Sequence, residues 1–125
     1  MAKFAPVCPI HILDALARDG AMGDYHLPLA HDVLQHPEDY RRVFVESGHH
    51  IETVILDNSV IELGSAVDID IIAKAAKTVK ANVIVLPDIL LDGAATVKSC
   101  REAISPWASI LDKELGEGKW KFMVV

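Results

Sequence analysis

Three polar residues, Asp57-Asn58-Ser59, stand directly behind an apolar run, Val54-Ile55-Leu56. A second carboxylate, Asp88, follows Val83–Leu86 and Pro87, and His31-Asp32 follows the segment Tyr25–Ala30. If those runs are strands of one parallel sheet, their C-terminal ends share a rim, and that rim is where α/β folds bind ligands. Two carboxylates in a partly dry pocket support specific chemistry. One serves as general acid or base, and the other accepts hydrogen bonds from the N–H groups of a ligand such as a purine. The same pair can instead hold Mg²⁺ through oxygen, as in a Mg²⁺-dependent barrel enzyme. A single Asp at a strand end can also do no more than close an Asx-turn. Two at equivalent strand ends favour a site. Pro87 keeps Leu86 extended, which makes the second strand end rigid.

The elements that must position these residues follow from short apolar runs and helical periodicity. Thr53–Leu56, Val83–Leu86 and Phe122–Val125 are rich in Val and Ile without alternation, as expected of parallel strands covered on both faces. Tyr25–Ala30 is a fourth candidate and Phe4–Val7 a short further one. Pro37 opens a helix whose inner face is Tyr40, Val43 and Phe44, with Gly48 past its end. Asp68 caps the next, where Ile72, Ala75, Ala76 and Val79 form one stripe and Val67 and Ile72 can staple the start. A third begins near Asp92-Gly93, with Val97, Cys100 and Ile104 inside, and should end at Ser105-Pro106. A new helix then reaches Leu115 with Trp107 and Leu111 buried.

Strands alternating with helices make a βαβ rhythm, with right-handed crossovers expected. The fold class is therefore α/β, one domain over residues 1–125. Four or five strands in 125 residues is about half of a (β/α)8 barrel, and the chain stops on an apolar strand. The expectation is the N-terminal half of such a barrel; the competing one is a small open sheet.

Composition narrows the classes. Half of the chain is apolar (51%) and 24% is charged, which is globular. No apolar run approaches the ~20 residues that span a bilayer, and Met1–Pro6 lacks a signal-peptide core. Two distant cysteines, Cys8 and Cys100, read as reduced thiols, so a cytoplasmic protein with no membrane partner is expected. A net charge of −6 argues against strong nucleic-acid binding by these residues alone. No zinc spacing and no glycine-rich phosphate loop is present, and no cofactor is expected in this segment.

The order of motifs resembles the N-terminal half of the tRNA-guanine transglycosylase superfamily, closest to the phage and bacterial branch that places 7-deazaguanine bases into DNA. Leu56-Asp57-Asn58-Ser59 occupies the place of that family's Asp-Ser-Gly-Gly motif. Val85-Leu86-Pro87-Asp88 matches its base-recognising Asp, and Tyr25–Asp32 resembles an earlier strand and loop. The resemblance implies a (β/α)8 fold and base exchange at a glycosidic bond, on DNA ahead of tRNA. It implies Asp57 as the acid/base carboxylate and Asp88 as the grip on a guanine or 7-deazaguanine edge, helped by Asn58, Ser59 and His31. Ser59-Val60 departs from the glycine pair that lets a base approach the backbone. The family's nucleophilic Asp and the zinc site of its tRNA members lie later in the barrel. This chain alone should thus be inactive, or act with a complementing chain. The alternative is an inert half-barrel that works through homo-oligomer or partner assembly along Phe122–Val125.

Overall fold

The computed structural model describes residues 7–124. Helix α1 spans Ile10–Arg18, strand β1 Tyr25–His26, α2 Ala30–Gln35 and α3 Pro37–Arg41, which runs on into a π-helical turn, Arg42–Glu46. Strand β2 (Thr53–Leu56), α4 (Val60–Leu63), α5 (Ile69–Val79), β3 (Val83–Val85), α6 (Gly93–Leu115) and β4 (Lys121–Met123) complete the order. The protein is mixed α/β, and the four strands among the described residues form one all-parallel sheet in the order β1-β2-β3-β4. Each strand lies beside its neighbour in the chain, with no reversal of order. The register pairs His26 with Val54, Leu56 with Ile84, and Ile84 with Phe122.

The helices bury one apolar stripe each. Helix α5 lies between α2 and α6 and against β2, and its Ile72, Ala75, Ala76 and Val79 are fully buried at the spacing expected of one helix face. Asp68 takes the extended N-cap conformation but makes no side-chain cap bond. Tyr40, Val43 and Phe44 are buried on the α3 side, and Tyr40 stacks on Phe44. Val54 and Leu56 from β2, with Ile84 and Leu86, close the core from the sheet.

Four expectations need correction. The first strand is not Tyr25–Ala30. Pro28 has no N–H to give a ladder, so pairing breaks after His26 and resumes only as a single bridge, Leu29 to Asp57. Helix α2 then starts at Ala30, which puts His31 and Asp32 in its first turn rather than on a strand end. Second, Ser105-Pro106 does not end a helix. Helix α6 continues through Pro106 to Leu115, because Pro106 and Glu102, whose carbonyl loses its partner, both face water. Third, the buried stripe of α6 is Thr96, Cys100, Ala103, Trp107 and Leu111, while Val97 and Ile104 are about half exposed (51% and 46%). Thr96 sets that phase: its hydroxyl binds both the N–H (2.8 Å) and the carbonyl (3.1 Å) of Ile89. Fourth, the last strand is 121–123 and is not covered on both faces. Lys121 and Met123 are exposed and only Phe122 packs inward, and β4 pairs with β3 alone among the described residues. The candidate strand Phe4–Val7 falls largely outside the described residues, and Val7 itself is not in a strand.

His26 is the one polar side chain of this core whose ring has a buried, unpartnered nitrogen among the described residues. Its Nε2 binds the Gly23 carbonyl at 2.9 Å, Nδ1 has no partner, and Phe44 meets the ring edge-on. Burial holds its pKa below the ordinary 6.5, against the opposing pull of the Gly23 carbonyl and Asp24. The folded state therefore resists protonation that the unfolded chain accepts, so stability is full above about pH 6.5 and falls as the pH drops below it. Chemical denaturation from pH 7.5 to 5 should show that decline, and His26→Phe should flatten it; an unchanged slope in the variant would assign the decline elsewhere.

Candidate active site at the strand ends

The parallel register brings the C-terminal ends of β2 and β3 side by side, and the chain spends its polar residues there. The Asp57 N–H donates to the Pro28 carbonyl and the Asp57 carbonyl accepts from Ala30 N–H, both at 3.0 Å. These bonds fix the β2 end against the start of α2. The turn then tightens: Ser59 N–H donates to Asp57 Oδ2 at 2.9 Å, and Val60 N–H donates to Asn58 Oδ1 at 3.0 Å. Ser59 adopts the left-handed conformation (φ 61°, ψ 24°), which costs a non-glycine residue about 1–2 kcal/mol.

Asn58 joins the two strand ends. Its side-chain amide is fully buried, and Nδ2 donates to Asp88 Oδ1 at 2.8 Å and to the Leu86 carbonyl at 3.0 Å. Both amide protons are thus used, and Oδ1 is occupied by Val60. Asp57 and Asp88 are half-buried, and the charges of Asp88 and His31 both act on Asp57. One oxygen of each carboxylate, Asp57 Oδ1 and Asp88 Oδ2, has no hydrogen-bond partner among the described residues. On the other side of the turn, Ser59 Oγ accepts His31 N–H at 3.1 Å and lies 2.8 Å from His31 Nδ1. His31 Nε2 lies 3.2 Å from Asp32 Oδ1. Because Oγ already accepts one bond, the arrangement that satisfies every group has the Ser59 hydroxyl donating to Nδ1 and the Nε2–H donating to Asp32.

The structure therefore gathers Asp57, Asn58, Ser59, His31 and Asp88 at one rim, but not in equal positions. Asn58 and Ser59 are 0% exposed, Asn58 bonded to Asp88 and Ser59 to His31 and Asp57, whereas Asp57 and Asp88 are half-buried. Sequence reasoning missed three supports. Thr96 ties down the loop after Asp88, and the Cys100 thiol donates to the Pro87 carbonyl at 3.4 Å. Glu62 adds negative charge near Asp57. Its place five residues after Asp57, on a short helix leaving the turn, was the available signal. Among the described residues no three His, Cys, Asp or Glu side chains are grouped to hold a metal ion. Compared with models of known families, with curated proteins and with solved structures, the chain matches none.

Burial raises the pKa of Asp57 above its ordinary 3.8; the Ser59 N–H opposes this, the charges of Glu62 and Asp88 add to it, and His31 opposes it. A carboxyl with a raised folded-state pKa contributes stability that is present below about pH 3.8 and is lost as the pH rises through the folded value. At pH 7 the Asp57 carboxylate thus costs stability. Asp57→Asn, which keeps an oxygen for Ser59 N–H, should be more stable than the parent at pH 7, with the gain vanishing near pH 3.5. Paired urea titrations at the two pH values check this, and a variant less stable at pH 7 would contradict it.

Proposed function

We propose that this chain is the base-holding half of a base-exchanging transglycosylase, an enzyme that replaces guanine by a 7-deazaguanine in nucleic acid, on DNA ahead of tRNA. The reading rests on one observation: the carboxylates of Asp57 and Asp88 stand at adjacent strand ends, tied through Asn58, each with an oxygen left over. A guanine-type edge presents an N–H and an exocyclic amine side by side, which suits such acceptors. In this reading Asp88 takes the base edge, with its orientation set by Asn58. Asp57, with its pKa raised by burial, moves the proton that base exchange requires at the base. Two further observations support it. The left-handed backbone at Ser59 is one that glycine favours, and Ser59 stands where the resembled motif has glycine. The sequential strand order β1-β2-β3-β4 is that of consecutive strands in a (β/α)8 barrel, so the fold proposed for the complete enzyme is that barrel.

No residue here is assigned the role of glycosidic nucleophile, so base binding rather than exchange is the expected property of these 125 residues. A second reading draws on a different observation: β4 has one strand neighbour among the described residues, and its exposed Met123 and Val124 favour strand addition by a second copy or a complementing chain.

Titration of the isotopically labelled protein with guanine, 7-deazaguanine and adenine tests the first reading. The two guanine-type bases should shift the amides around 57–60 and 86–89, adenine should not, and Asp88→Ala should abolish the response while leaving the fold intact. Equal binding of adenine, or binding unchanged in Asp88→Ala, would contradict it.

A further inference from the structure

Beside this rim lies a concavity that the base-exchange reading does not use. A cavity of about 550 Å³ opens between the start of α1, the bridge residue Leu29 and the helices α2 and α3. That volume lies within the range of small-molecule sites, roughly 300–1,000 Å³. Its walls are partly apolar, from Val7, Ile10 and Leu29, and partly polar, from Cys8, Asp32 and Tyr40. Among the described residues, no Lys or Arg lines the cavity. Asp39, also in the lining, is already paired with Arg42 at 3.0 Å, and His11 and His36 complete the polar set.

Two groups there have unspent capacity. Asp32 meets the His31 ring through Oδ1 at 3.2 Å, and Oδ2 has no partner among the described residues. Tyr40 is 2% exposed, yet no hydrogen bond to its hydroxyl is present among the described residues. Tyr40 lines the cavity, so a ligand there can supply the missing partner. Burial, with the charges of Asp32 and Cys8, pushes its pKa up to about 12, so the hydroxyl is neutral and senses Asp32. An unpartnered hydroxyl and a carboxylate with one free oxygen, facing one cavity with apolar walls, define what would satisfy them: an N–H-bearing positive head on a small apolar body.

We propose that this cavity binds a small organic cation, a primary amine or amidinium with a short apolar body, with Asp32 as its counter-ion and the Tyr40 hydroxyl as a second acceptor. The cation completes the hydrogen bonding of Tyr40 and takes up the free oxygen of Asp32. Leu29 and Ile10 receive the apolar part. The site is separate from the Asp57 and Asp88 carboxylates.

Benzylamine, benzyl alcohol and benzoate share a body and differ in charge, so they form the test. Titrated into the labelled full chain, benzylamine should shift the resonances of Cys8, His11 and Tyr40 saturably, and bind at least about tenfold more tightly than the alcohol, as a hydrogen bond to a charged group warrants. Benzoate should not bind. Asp32→Asn should lose about that factor. Tyr40→Phe, which keeps the ring stacked on Phe44, should weaken binding several-fold, with thermal unfolding confirming that both variants fold. Asp88→Ala should leave benzylamine binding unchanged, which separates this site from the base pocket. No saturable shift at millimolar benzylamine, equal affinity for the alcohol, or affinity unchanged in both Asp32→Asn and Tyr40→Phe would overturn the proposal.

Discussion

The buried amide of Asn58 is the constraint on which the site depends. A primary amide placed out of water between two strand ends must spend its two protons and its oxygen inside the protein, or cost the full desolvation of each. Here it spends them on Leu86, Asp88 and Val60, so one side chain fixes the end of β3, one carboxylate and the exit of the following turn. The parallel register supplies the rest of the geometry. Because Leu56 pairs with Ile84, residues 57–59 and 86–88 emerge at the same height. Buried polar networks of this kind are stable only when complete, and this one is complete inward and left open outward, at Asp57 and Asp88.

The same economy appears around the turn. Ser59 accepts a strained backbone and in return binds Asp57 through its N–H and His31 through its hydroxyl. Strain and a carboxylate that costs stability at neutral pH, at one end of an otherwise ordinary apolar core, are the marks of a site shaped for something other than stability. The apolar scaffold bears that cost: α5 lies between its neighbouring helices and β2 with its inner stripe wholly buried.

Much of this was legible in the sequence where hydrophobicity alone decides structure. The α5 stripe, the inner face around Tyr40, and the runs at β2 and β3 were readable because apolar residues recur with the period of the element. So was the convergence of Asp57 with Asp88, since it needs only parallel strands one βα unit apart. Reading failed where polar groups set the structure. The phase of α6 follows Thr96 and Cys100, whose bonds to Ile89 and Pro87 no hydropathy pattern reveals. Pro106 reads as a stop, yet sits on a solvent face where its missing donor is harmless. His31 sits on a helix because Pro28 ends the strand early, and Asn58 looks like a turn residue until the neighbouring strand end is seen beside it.

The central claim is that Asn58 couples the end of β2 to Asp88. A double-mutant cycle on stability, with Asn58→Ala, Asp88→Ala and the pair at neutral pH, measures that link directly. Residues in one hydrogen-bonded network couple by roughly 0.5–3 kcal/mol, whereas independent ones add within about 0.5. A coupling of about 1 kcal/mol or more is the predicted result. Additive effects would mean that the 2.8 Å bond carries no energy and that the two strand ends do not act as one site.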